Sequence, residues 1–267
     1  MQFDRSPAEV WRRYERDRDY KRSIGLYDRV RRNEAFYLGR QSEGLRVQSL
    51  DPLIFNVLRR CVNLFVAMLV SDDVAVRVTP FEMNDEGRRT AHVLERAFAS
   101  AIERSGVKAL GRPLLKNACV DGDACFYVHF DPALETGQAV KGDIAVDLID
   151  STNICFGNPA CDEVQRQPYI IIAMRRDVDE VRREARENGI SEDEISAIRA
   201  DDAGEYHRWR VNGGEERVTV RLHMRRVKGG IAFCKTVRNA TVMREKVLPY
   251  RLYPVTHLCW NRVRGSC

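Results

Sequence analysis

The chain has 267 residues and a formal net charge of +5, a length that gives one or two ordinary domains and enough interior to bury a core. Its 44% apolar and 31% charged residues exclude a disordered or fibrous chain. The positive excess is spread along the sequence with no long block of like charge, which excludes a basic nucleic-acid tail.

Charge begins at Asp4, so the N-terminus does not read as a signal peptide. The longest apolar run, Cys61 to Val70, is broken by Asn63; a membrane span needs about 20 apolar residues, so no membrane association is expected. The eight cysteines contain no CxxC pair, and no His stands at ligand spacing beside Cys119 and Cys125 or Cys155 and Cys161. They are expected to be reduced, mostly buried thiols, with no metal and no cofactor.

In chain order, Ser6-Pro-Ala-Glu9 is a capping box with proline at the first helical position, predicting a helix through Trp11 and Tyr14 towards Asp19. Ile24, Tyr27 and Val30 recur at helical spacing in a second helix ending near Gly39. After Asp51-Pro52, the apolar positions Ile54, Val57, Leu58, Cys61, Leu64, Phe65 and Met68 predict a helix over Leu53 to Val70, expected to be the central core helix. Val74 to Pro80 alternates as a half-buried strand, and Asp85 to Ser105 and Val107 to Val120 read as helices before the turn Asp121-Gly-Asp123. Strands are expected at Ala124 to Phe130, Ile144 to Ile149 and Tyr169 to Met174, forming with the preceding helices a helix layer on a mixed sheet. Asp177 with Glu180 and Ser191 with Glu194 start two further helices. From Glu205 to Val247 alternating runs separated by Asn212-Gly-Gly and Lys228-Gly-Gly predict a β-meander. The fold class is therefore α+β, with a helical and α+β region over 1–199 and an antiparallel β-rich region over 200–267.

Catalytic signatures are sparse. Gly137 to Gly142 has phosphate-loop glycine spacing, but Asp143 stands where lysine is required. The one enzyme-like group is Asp121, Asp123 and Asp131 with His129, since clustered carboxylates can hold magnesium for phosphodiester cleavage. Asp121 and Asp123 flank a glycine in a helix-to-strand turn, where aspartates commonly bond to backbone amides, and Asp147 and Asp150 follow another turn. A turn role is the expectation for all of these, leaving a metal-dependent DNA-processing enzyme on Asp121 and Asp123, or an α+β interaction module, as alternatives. Trp209 and Trp260, beside Arg208, Arg210 and Arg262, read more readily as aromatics packed across a sheet than as base-stacking platforms.

The segments YERDRDYKRSIGLYDRVRRNEAFYLGRQSEG (Tyr14 to Gly44), FNVLRRCVNLFVAMLVSD, DGDACFYVHFDP, GDIAVDLIDSTNICFGNP, QPYIIIAMRR and LYPVTHLCWNRV, in that order, resemble the N-terminal half of the portal proteins of tailed bacteriophages and prophages. One local departure is Ser42, where the family leads one to expect tryptophan. The resemblance implies a structural, non-enzymatic subunit of a dodecameric ring at one capsid vertex, present in the host cytoplasm during assembly and in the virion afterwards. It implies partners in the terminase, the capsid or scaffold and the head-completion proteins. Double-stranded DNA would be met through non-specific phosphate contact. Portals of this kind continue past the region of Tyr253 to Val263 into stem, clip and crown, so the expected architecture is wing-like and lacks those parts.

Overall fold

The computed structural model describes residues 6–41, 55–70, 76–137, 140–201 and 216–260. In chain order these form α1 (Pro7–Ser23), α2 (Leu26–Tyr37), α3 (Val57–Val70), α4 (Asp85–Arg104), α5 (Val107–Asp121), β1 (Asp123–Asp131), β2 (Asp143–Asp150), β3 (Ile154–Phe156), β4 (Tyr169–Asp177), α6 (Val178–Glu187), α7 (Glu192–Ser196), β5 (Arg217–Val227), β6 (Gly230–Thr236), β7 (Thr241–Leu248) and β8 (Val255–Cys259). The class is α+β.

Local chemistry sets the helix starts. The Ser6 side chain accepts the Glu9 N–H at 3.3 Å with Pro7 at the first helical position. Asp177 accepts the N–H groups of Asp179 and Glu180, and Ser191 accepts that of Glu194. Each cap satisfies donors that the first turn leaves without an intrahelical partner.

The chain divides into two compact units, neither a single continuous stretch. One combines the described residues of Met1–Arg31 with those of Ile149–Tyr253; the other combines those of Arg32–Leu148 with those of Pro254–Asn261. The first holds a five-stranded sheet in the order β3-β4-β5-β6-β7, antiparallel at every pairing, of which β5, β6 and β7 form the expected meander. The Lys228-Gly229-Gly230 turn joins β5 to β6, and a Cβ on Gly230 would lie 1.9 Å from the Leu248 carbonyl oxygen, so only glycine fits. The Asn212-Gly-Gly turn lies outside the described residues.

Both faces of this sheet are covered, which makes it the core. In β4 the consecutive Ile170, Ile171 and Ile172 are all fully buried, as a strand buried on both faces requires. One face packs Ile171, Ala173, Tyr169 and Cys155 under Tyr14 of α1. The opposite face packs Val218, Val220 and Val242 under Val181 and Ala185 of α6 and Ile195 of α7.

The second unit contains the three-stranded sheet β2-β1-β8, with β8 antiparallel to β1, and the helices α3, α4 and α5, the first two packing on α5. Three expectations are corrected. The strands anticipated as one mixed sheet belong to two sheets, because β1 pairs with β8 from the far end of the chain rather than with β4. Residues 76–80 carry no strand; Val74 and Ala75 lie outside the described residues. The third correction concerns α3, which is not the core helix: Val66 is its only buried residue, while Leu64 is 61% and Phe65 51% exposed. Periodicity marks a face that avoids water, but in this chain the residues that cover a core lie in the five-stranded sheet instead.

Candidate functional site

The acidic group does not assemble into one centre. Asp121 is buried in the last turn of α5, and Asp123 opens β1 beyond Gly122, whose φ of +106° makes the turn. An oxygen of Asp123 lies 3.0 Å from Nε2 of His257 on β8, and Nε2 of His129 lies 3.0 Å from an oxygen of Asp147 on β2. His129 also stacks on Tyr127, ring centroids 4.7 Å apart. Asp131 accepts the Ala133 N–H in the turn after β1, and Asp150 closes β2. These residues thus form two cross-strand His–Asp pairs and a turn contact, an arrangement that ties β1 to both neighbours. Among the described residues no three His, Cys, Asp or Glu side chains come together to hold a metal ion.

Trp260 packs edge-on against Phe65 at 6.5 Å, and its N–H donates to the Gly122 carbonyl through the backbone at 2.9 Å. Trp209, Arg208, Arg210 and Arg262 lie outside the described residues. None of the seven described cysteines forms a disulfide, but only Cys125, Cys155 and Cys234 are buried, fewer than expected. Burial pushes the Cys234 thiol up to about 11, with Glu245 adding to the rise. No described helix is long and apolar enough to cross a membrane.

A dense electrostatic site lies where α1 crosses the five-stranded sheet, and sequence reasoning missed it. The stripe that α1 buries is Val10, Tyr14, Asp17 and Lys21, so two of its four buried positions are charged. The Tyr169 hydroxyl donates to the Asp17 carboxylate at 3.2 Å and accepts from Arg16 Nη2 at 2.6 Å. Lys21 Nζ donates to the carbonyls of Ser151, Thr152 and Ile154 at 2.9, 3.2 and 2.5 Å. Beside them the Arg221 guanidinium, 1% exposed, lies 3.7 Å from the Trp11 ring centroid and 4.8 Å from that of Tyr14. Cation–π contact and these carbonyls replace the water that the buried cations lose. The spacing of 10, 14, 17 and 21 was the available signal: charges on the face that Val10 and Tyr14 bury must find partners inside.

Burial raises the Asp17 carboxyl to about 6 despite the Tyr169 hydrogen bond and the nearby Arg16 and Lys21, which favour its charge. Tyr169 is pushed up to about 12, first by burial and then by the Asp17 charge. Burial, with Arg13 and Arg225 adding to it, lowers His223 to about 3. A carboxyl raised on folding favours the folded state most below its unfolded value, and that contribution is lost as pH rises through the folded value. Asp17 should therefore disfavour the fold progressively from about pH 4 to 6, by about 3 kcal/mol in all and about 1 kcal/mol between pH 5 and 7. His223 acts oppositely, its contribution being present above about pH 6.5 and lost as pH falls towards 3. The measurable consequence is that Asp17→Asn gains stability relative to the parent as pH rises from 5 to 7 in chemical denaturation. A constant difference across that range would remove Asp17 from the account.

The second notable surface is apolar. On α3, Leu64, Met68 and Leu69 are 61%, 61% and 52% exposed, and on α4 Val93, Leu94 and Phe98 are also exposed. No protein-family model matches this chain, and no curated protein matches it significantly.

Proposed function

We propose that this chain is the wing-like N-terminal part of a portal subunit of a tailed bacteriophage or prophage. The observation that carries the reading is the ordered series of segments from Tyr14 to Val263, which runs through both compact units. In this reading the protein is a conduit without catalytic residues of its own. Twelve copies surround one axis at a capsid vertex, and the ring receives the terminase during packaging and the head-completion proteins afterwards. Capsid or scaffold subunits meet its outer side. A ring multiplies a modest positive charge around the axis, and a conduit needs contact with phosphates rather than with bases.

The exposed apolar residues of α3, Leu64, Phe65, Met68 and Leu69 on one short helix, support a subunit role, because apolar side chains clustered in water mark a place where another surface can sit. The occupant in this reading is a neighbouring copy of the same chain. Leu64→Asp combined with Met68→Asp tests it in the ring-forming, full reading frame. These side chains contribute little to the isolated fold, so melting should change little while ring assembly fails. Rings forming undiminished would take α3 out of the subunit contact.

A further inference from the structure

We propose that a small monovalent anion, the size of chloride, binds where α1 crosses β5 and β6, held by the Thr236 hydroxyl beside the buried Arg221 guanidinium. Thr236 is 1% exposed, and its Oγ1 has no hydrogen-bond partner among the described residues. It stands directly opposite Arg221 in the β5–β6 pairing, so the two side chains leave the same face of the sheet with Cβ atoms about 5 Å apart. A register shift in the β6–β7 pairing falls at Lys235 and Thr236, an irregularity of the kind that re-aims a side chain. On the other flank of Arg221, Ala173 of β4 contributes only a methyl group.

Positive charge gathers at this crossing. Arg221, whose Nη1 donates to the Thr219 carbonyl at 3.2 Å, lies over both rings of the Trp11–Tyr14 pair. The exposed Arg238, on the turn between β6 and β7, places its guanidinium 5.0 Å from the Trp11 centroid. The Arg18 guanidinium lies 5.9 Å from the Tyr14 centroid, and its buried Nε is a further donor without an acceptor among the described residues. Three guanidiniums thus share two rings whose centroids are 5.7 Å apart. The carboxylates of this stretch of α1 face other groups, Glu9 pairing with Arg12 and Arg13 and Asp17 accepting from Tyr169, while Glu15 reaches Arg18 at 3.7 Å.

A buried hydroxyl without a partner is costly, and an enclosed water is the usual remedy. Water would satisfy Thr236 but do little for cations whose fields are weakly screened away from solvent. An anion does both, accepting from the hydroxyl and offsetting the charge around the rings. One arm of the Arg221 fork is already bonded to the Thr219 carbonyl, which spoils the paired geometry that carboxylate and phosphate groups use and favours a spherical ion. Bound there, the ion would fasten α1 to the sheet beside Trp11. The site belongs to the core of its own compact unit and stands apart from the portal reading.

Urea unfolding in chloride and in gluconate at constant ionic strength tests the site, with Thr236→Val for comparison. Valine keeps the shape of threonine and removes the hydroxyl, so in gluconate the variant should be at least as stable as the parent. General effects of the two salts are common to both proteins, and the difference between their midpoints isolates the ion. As chloride replaces gluconate, the parent should gain on the variant in step with the logarithm of chloride concentration, as a ligand of the folded state requires. Arg238→Gln, at an exposed turn position, should raise the chloride needed for a given gain by about twofold to fivefold. The chlorine NMR line width of chloride reads binding directly: the parent should broaden it, Arg238→Gln less, and Thr236→Val hardly at all. Parent and valine variant responding alike to chloride would place a water on Thr236 and overturn the inference. Equal broadening of the chloride line by the parent and both variants would overturn it too.

Discussion

Replacing Ile171 by alanine is expected to lower stability by about 2 to 5 kcal/mol, because the side chain is fully buried and its removal leaves a cavity that the surrounding residues fill only in part. Ile171 lies in the central strands of the five-stranded sheet, in one cluster with Tyr14, Cys155, Tyr169 and Ala173. Its strand pairs with β3 at Cys155 and with β5 at His223, so neither edge can relax into solvent. Leu64→Ala on α3 is the instructive contrast. At 61% exposure it should cost less than about 0.5 kcal/mol, the range of ordinary surface substitutions. Urea midpoints of the two variants decide which of the two elements is the core. Equal losses would return α3 to the interior.

Lys21→Met should be comparably severe. The methionine stem keeps most of the apolar packing of the lysine, so the loss isolates the ammonium and its three carbonyl partners, Ser151, Thr152 and Ile154. Those carbonyls sit where the chain enters β3, and two of the three bonds are wholly buried. The variant leaves buried carbonyls without a donor, each at about 1 to 3 kcal/mol, so the total loss should exceed the roughly 1 kcal/mol of an ordinary hydrogen bond several-fold. Because Lys21 is in α1 and its acceptors are around 130 residues later, hydrogen exchange should show α1 and the β3 region losing protection together. Loss confined to α1 would show that the lysine only decorates the helix.

The sequence made the local structure readable and left the long-range structure hidden. Capping boxes at Ser6, Asp177 and Ser191 mark helix starts correctly because a cap involves residues only two or three apart. The Lys228-Gly-Gly turn was legible for the same reason. Pairing is a different matter: Asp123 stands opposite Cys259 and Tyr127 opposite Val255, and nothing in the local alternation of β1 names a partner that distant. The α3 periodicity likewise reported a face without reporting its cover. At the candidate sites, the Asp121 to Asp131 group was visible as composition, whereas its separation into pairs with His257 and Asp147 depends on sheet register. The buried Asp17 and Lys21 of α1 escaped notice because charged residues on a helix usually face water. Only their phase with Val10 and Tyr14 distinguishes them.

Electron microscopy of the purified protein, expressed from the whole reading frame that contains this chain, tests the portal reading most directly. The account predicts closed rings of twelve subunits with an open central channel, since a heterologous contact repeated around an axis closes when its rotation allows. A full-frame protein that stays monomeric at high concentration, with no rings on the grid, would contradict the account.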